Sequence, residues 1–394
     1  MSSYFSNIKK SFKPKHYVNY AAILFVLLLF TVLNYTVGLS RSMGSLLPQI
    51  AYSIVLAVSL NLVVGLLGEL SLGHAGFMCV GAYLGTFLSN VILTAAPSAP
   101  LPLVLLLSML LGGVAAAIFG FVVGLPALRL RGDYLAIVTL AFGEIVRNIF
   151  KNLPADLFGG AQGLSSVFNT ALLDAGKKGG MPLFIPAFLV VLVMLVVIQN
   201  IIRSKHGRAI TAIRDNEIAA KSMGINVTYY KLFAFIVSAF FAGVAGVIYG
   251  SSVSPVDYSF FSYNYSIEIL VMVVLGGMGS INGSIIAATL ITYINFLLKS
   301  NFSGDMSAIK NIIYALILIL MVIYKNAPAL KKYRERFAIS KLIDKFKKHD
   351  ASVVDDDSAE WERVPTKIIT DEILSTDLNL TTFEADKPDK GGDE

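Results

Sequence analysis

Long apolar stretches follow one another along most of the chain, each interrupted by a short polar or glycine-rich segment. A helix rises 1.5 Å per residue, so about 20 apolar residues cross the hydrocarbon core of a bilayer. By that measure the candidates are residues 18–39, 45–67, 70–93, 101–127, 133–150, 183–203, 231–253, 259–276, 281–299 and 308–325. Two of them, 133–150 and 259–276, are short or carry polar residues. The pattern predicts an all-α polytopic membrane protein with about ten transmembrane helices.

Composition agrees. Of 394 residues, 55% are hydrophobic and 15% charged, against about 25% charged in a typical soluble domain. A disordered chain, a collagen-like chain and a secreted disulfide scaffold are all excluded. The one cysteine, Cys79, lies in an apolar run and reads as a buried thiol filling space. The net charge of +6 conceals a division. Residues 350–394 hold 14 acids and 4 bases, a net of −10, which leaves 28 bases and 12 acids, a net of +16, on the rest.

Lys and Arg near the ends of spans set orientation, because they are retained on the cytoplasmic side. They cluster at Lys9, Lys10, Lys13 and Lys15, again between Arg203 and Lys231, and again from Lys325 to Lys348. Six crossings before the middle cluster and four after it put all three inside the cell; eight crossings in total satisfy the same parity. The N- and C-termini are then cytoplasmic, and the chain belongs in the bacterial cell membrane. The first span lacks a small-residue cleavage site after it and reads as an uncleaved anchor. The chain thus divides into a basic N-terminus (1–17), a transmembrane domain (18–325) and a basic segment suited to the membrane surface (326–349). An acidic tail that defaults to disorder (350–394) completes it. The basic segments are matched to membrane lipid, and no nucleic-acid partner is expected. Outside the membrane, the Gly/Pro-rich loop 151–182 is the longest connection, and loop 254–264 is the second external surface.

Charges inside spans cost several kcal/mol and mark bundle interiors or pathways. Glu69, Glu144, Arg147 and Glu268 are of this kind. Glu144 and Arg147 are three apart on one helix, where they can pair with each other or line a polar route. The run Gly68-Glu69-Leu70-Ser71-Leu72-Gly73-His74-Ala75-Gly76 lies between two strongly apolar stretches. Its glycines allow a broken helix, which membrane depth tolerates only against protein or a water-filled cavity. A similar run spans Gly276 to Gly283. Small residues of this kind serve close helix packing as readily as a pathway. His74 stands alone, and no cluster of residues resembles a metal site. There is no phosphate-binding G-x-x-x-x-G-K-[ST], no H-E-x-x-H and no G-x-S-x-G, so no catalytic residue is assigned and ATP hydrolysis in this chain is not expected.

The polar stretch 204–230 is helix-prone from Arg208 to Met223 and stops at Gly224. Ala212, Ile213, Ile218, Ala219 and Met223 predict an apolar face beside Asp215 and Glu217. A plain surface helix is the simpler reading; a docking element held at the membrane is the functional one.

Here a resemblance enters. Arg214-Asp215-Asn216-Glu217-Ile218-Ala219-Ala220-Lys221-Ser222-Met223-Gly224-Ile225 resembles the coupling loop of ABC importer permeases. GELSLGHAGFMCVGAY (68–83), LPALRLRGDYLAIVTLAFGEIVRNI (125–149), FAFIVSAFFAGVAGVIYG (233–250) and LVMVVLGGMGSINGSI (270–285) resemble the branched-chain amino acid permeases of the LivM type. The likeness covers roughly 45–325. It implies an ABC importer permease fold with a cytoplasmic coupling helix. It also implies a second, homologous permease, two cytoplasmic ATPase subunits that bind ATP and Mg, and an external solute-binding protein. This chain itself would hold no cofactor. Carried over by position, Glu217, Ala219, Ala220 and Gly224, with Arg214 and Asp215 beside them, form the coupling contact. Ser71, Gly73, His74, Glu144 and Arg147 match motif positions and are candidates for the translocation pathway. Glu69 stands where the family pattern leads us to expect Gln, and the acidic tail is outside that pattern. The implied cargo is leucine, isoleucine and valine, with urea, amides or other amino acids as alternatives. An ion-coupled secondary transporter using Glu144 or Glu268 is the competing class.

Overall fold

A computed structural model describes residues 23–32 (25 excepted), 41–128, 130, 132–177 and 182–301, together with the single residues 316 and 319. The N-terminal 1–17, the segments 326–349 and 350–394, and nearly all of the stretch 308–325 lie outside the described residues. Residues 23–32 are helical, within the first stretch expected to span.

Helix α1 (Arg41–Asn61) continues as a wider, π-type turn over Leu62–Leu67 and ends at Gly68, whose φ of 81° only glycine adopts without strain. After a non-helical segment come α2 (His74–Ala95), α3 (Leu101–Ala127) and α4 (Asp133–Asn152). Two short helices, α5 (Ala155–Phe158) and α6 (Val167–Lys177), lie in the next connection, followed by α7 (Phe184–Arg203). The polar stretch holds α8 (Lys205–Asp215) and α9 (Glu217–Ser222). The remaining helices are α10 (Val227–Ser252), α11 (Tyr263–Gly276) and α12 (Ile281–Asn301).

Six of these, spanning 42–67, 74–95, 101–127, 184–203, 227–252 and 281–298, are long and apolar enough to cross a membrane. Helix α4 is long enough but carries Asp133, Glu144, Arg147 and Lys151, and α11 is apolar but only 14 residues long. Both cover the stretches that the sequence marked as short or polar. Among the described residues there is no sheet, only an isolated antiparallel bridge between Leu164 and Val256.

The core is built around α1, which is almost wholly buried and packs against α7, α10, α11 and α12. A second assembly joins α2, α3 and α10. Its closeness depends on glycine. A Cβ on Gly243 would lie 2.5 Å from both the Ala116 methyl and the Gly112 carbonyl oxygen, and one on Gly81 would run into the backbone of Gly243. Close approach of this kind replaces the hydrophobic drive that lipid-facing helices lack. The outer faces are apolar: Leu106, Leu110, Ile118 and Val122 of α3 are exposed, as are Leu189 and Val193 of α7.

At the end opposite α8 and α9, the described part of the connection after α4, 153–177, folds into a cap. Leu164 and Val256 exchange both backbone hydrogen bonds (3.0 and 2.8 Å), and the Asn169 side chain donates to the Ser251 carbonyl at 2.9 Å. Asn90 at the end of α2 donates to Ser165 O at 2.7 Å and accepts from Val167 N at 2.9 Å. Residues 164–169 of the stretch that read as a loop are therefore folded against the segment 251–256.

Candidate functional site

The single helix expected from Arg208 to Met223 within the stretch 204–230 is two helices. Ser204 caps α8 by accepting from His206 N and Gly207 N, and α8 buries Ala209, Ile210 and Ile213. The chain then becomes extended at Asn216 (φ −158°, ψ 104°), whose Oδ1 accepts from Ile218 N and Ala219 N, each at 3.0 Å. A short amide side chain is well suited to starting a new helix in this way. Helix α9 ends at Gly224, in the left-handed region at φ 82°, with Gly224 N donating to Lys221 O and Ile225 N to Ala220 O, both at 3.1 Å. The break divides the expected apolar face. Ile213 and Ala220 turn inward, whereas Ile218 and Met223 are 75% and 82% exposed.

Two basic side chains tie this segment to the turn after α1. Arg214 donates to the Gly65 carbonyl at 3.2 Å and pairs with Asp215 at 2.9 Å. Its aliphatic stem covers Gly68, where a Cβ would lie 2.7 Å from Arg214 Cγ. Lys231, only 3% exposed, pairs with Glu69 at 2.5 Å and with Glu217 at 3.2 Å. These residues surround a cavity of about 380 Å³ lined by Leu67–Glu69, Ile213–Ile218 and Lys231. Sequence reasoning counted Lys231 only as a topology marker. The signal for its second role was a lysine at the head of an apolar run, with two acids, Glu69 and Glu217, elsewhere.

The second glycine-rich run meets the end of α1 here. The Asn61 side chain accepts from Gly279 N at 2.8 Å and donates to Ser284 Oγ at 3.0 Å. A Cβ on Gly65 would overlap Gly279. The end of α1 and its π-type turn are thus pinned to the turn joining α11 to α12, beside Arg214.

The candidate pathway residues cluster deeper. The break 68–73 is satisfied by neighbouring helices, as a break at membrane depth must be: Leu72 N donates to Thr139 Oγ1 at 3.0 Å and Ala75 N to Ser266 Oγ at 3.1 Å. Ser59 Oγ donates to Leu56 O, so we assign the 2.9 Å contact with His74 to an Nε2–H donating to Ser59. Ser71 and His74 are each 2% exposed, and Ser71 Oγ has no hydrogen-bond partner. Gly73 and Gly76 lie against Thr139 and Gly143 of α4. One residue on, Glu144 pairs with Arg147 at 2.6 Å and also accepts from Tyr263 N, at the start of α11, at 2.9 Å. The structure thus brings Ser71, Gly73, His74, Glu144 and Arg147 to the junction of α1, α2, α4 and α11, with Ser71 and His74 buried and the Glu144–Arg147 pair partly exposed. Glu268 stands apart. It accepts from the Asn295 amide at 2.9 Å and borders a mostly apolar recess of about 350 Å³ with Phe260, Tyr265 and Val271. Among the described residues no group of three or more His, Cys, Asp or Glu is placed to hold a metal ion.

Residues 42–322 match the family described as the permease component of branched-chain amino acid transport systems. The chain belongs to that family. It is 34% identical over 313 residues to the high-affinity branched-chain amino acid transport system permease protein LivM of Salmonella typhimurium, covering 73% of this chain and 69% of that protein. It is 27% identical over 280 residues to the probable branched-chain amino acid transport permease protein LivM of Methanocaldococcus jannaschii, covering 66% and 77%. The likeness extends to the ribose import permease protein RbsC of Haemophilus influenzae, 26% identical over 326 residues, covering 80% and 94%. No solved structure matches the chain. The protein is therefore a multi-pass membrane permease component, a transport subunit rather than an enzyme.

Proposed function

We propose that this chain is the permease subunit of an ATP-driven importer for branched-chain amino acids, crossing the bacterial inner membrane ten times with both termini in the cytoplasm. A second, homologous permease completes the path. An external solute-binding protein delivers leucine, isoleucine or valine, and two cytoplasmic ATPase subunits carry the ATP and Mg. The break and cap at Asn216 carry this reading, because they present α9 as a separate short helix, with Ile218 on it and Met223 just after it both exposed. Such a helix is suited to a groove on a motor subunit, with Arg214, Asp215, Glu217, Ala219, Ala220 and Gly224 shaping the contact. Movement of α8 and α9 reaches α7 and α10, which flank them in the chain, and switches the path between two permeases from outward-open to inward-open.

A proton-coupled mechanism through Glu144 is disfavoured by its commitment to both Arg147 and Tyr263 N. Replacing Glu217 by Lys and co-purifying the assembly tests the docking role: ATPase subunits are expected to be lost along with uptake. Full retention of both would overturn it. The cargo is tested by calorimetry on the partner binding protein, with leucine, isoleucine and valine expected to bind and ribose and urea not.

A further inference from the structure

The arrangement of charge behind α9 assigns a positioning role to residues that the family likeness does not. We propose that Lys231, held between Glu69 and Glu217, is the link that converts displacement of α9 into displacement of the broken segment 68–73. This rests on the docking role proposed for α9.

The three residues come from three separate parts of the chain: Glu69 from the turn after α1, Glu217 from the first turn of α9, and Lys231 from the first turns of α10. Their burial is graded. The Lys231 side chain is 4% exposed, that of Glu69 14% and that of Glu217 35%. The Glu69–Lys231 half is therefore the dry one. An ion pair of this kind resists separation, because removing either partner strands the other charge away from water. The Glu217–Lys231 half is longer, 3.2 Å against 2.5 Å, and more open. It is the half that faces the motor.

Arg214 supplies a second attachment to the same turn, through its bond to Gly65 O and its packing on Gly68. A shift of α8 and α9 thus arrives at both Gly65 and Glu69. The four residues beyond Glu69 form no helix, and they include Ser71, whose hydroxyl is buried without a partner. Such a segment has little of its own hydrogen bonding to resist a pull. At its far side are Gly73 and His74, the start of α2, packed on Thr139 and Gly143. One lysine shared by two carboxylates, with Arg214 beside it, therefore stands between α9 and the helix break 68–73.

The test uses the full complex in liposomes, with its binding protein and leucine, and reads retention of the ATPase subunits, ATP hydrolysis and uptake. Glu69→Gln, which keeps size and hydrogen bonding but removes the charge, and Lys231→Met are each compared with Lys231→Arg. We expect both neutral variants to keep the ATPase subunits and to hydrolyse ATP. Uptake should fall by roughly 5- to 150-fold, the range in which coupled sites typically bias one another, so ATP consumed per leucine rises by the same factor. Lys231→Arg should restore most of the uptake. If the ratio of ATP to leucine is unchanged in Glu69→Gln, or if uptake and hydrolysis decline only in step with the amount of assembled complex, the link is structural and the proposal is overturned. If Lys231→Met fails to assemble, Glu69→Gln decides alone. A wild-type chain that retains no ATPase subunit would instead defeat the docking role of α9 itself, and the link with it.

Discussion

Gly243→Ala places a methyl group where the assembly of α2, α3 and α10 leaves no room. The new Cβ would lie 2.5 Å from the Ala116 methyl and 2.5 Å from Gly112 O, about 1 Å inside van der Waals contact. Neither obstacle is a flexible side-chain end: one is backbone, the other a methyl fixed to it. The helices must separate, and overpacking of this kind costs about 1–3 kcal/mol. At roughly 2–4 °C per kcal/mol, the midpoint of thermal loss of the monodisperse, detergent-solubilised protein should fall by about 2–12 °C. Gly44→Ala is the control. It lies in α1 with nothing within 4 Å of its would-be Cβ, and alanine there gains up to about 1 kcal/mol from helix propensity. The two substitutions should move the midpoint in opposite directions. Equal midpoints for Gly243→Ala and the wild type would refute the claim that glycine sets the distance between these helices.

Two further outcomes follow from hydrogen bonding. Asn61→Ala leaves the Gly279 amide without its acceptor and Ser284 without its donor, at a cost of about 1–3 kcal/mol; amide hydrogen exchange should quicken at Gly279 more than within α3. Asn216→Ala removes the cap of α9, a loss of about 0.5–2 kcal/mol. It should weaken co-purification of the ATPase subunits and lower the thermal midpoint of the isolated permease by about 1–8 °C.

What the sequence conveyed depended on the range of the forces involved. The stretches 101–127 and 183–203 match α3 and α7 almost to the residue, because uniform apolarity over the length of a bilayer is a local signal. The pairing of Glu144 with Arg147 was equally legible, being set by helical spacing. Three features were not. Helix propensity from Arg208 to Met223 gave no hint that Asn216 would leave the helix to cap the next one. The Gly/Pro content of 151–182 read as a loop because its ordering partner, Val256, is far away in sequence. Lys231 read as a topology marker because its two acids, Glu69 and Glu217, are separated from it by 162 and 14 residues. Long-range ion pairs leave no periodicity to detect.

The central claim is that α9 is the surface this permease presents to its motor. A photo-crosslinking residue substituted for Met223, the most exposed large apolar side chain of that segment at 82%, tests it in intact membranes containing the whole importer. The account predicts an adduct with an ATPase subunit that changes in yield when ATP is added. Adducts formed solely with the external binding protein, or an ATPase adduct absent in complexes that still take up leucine, would contradict it.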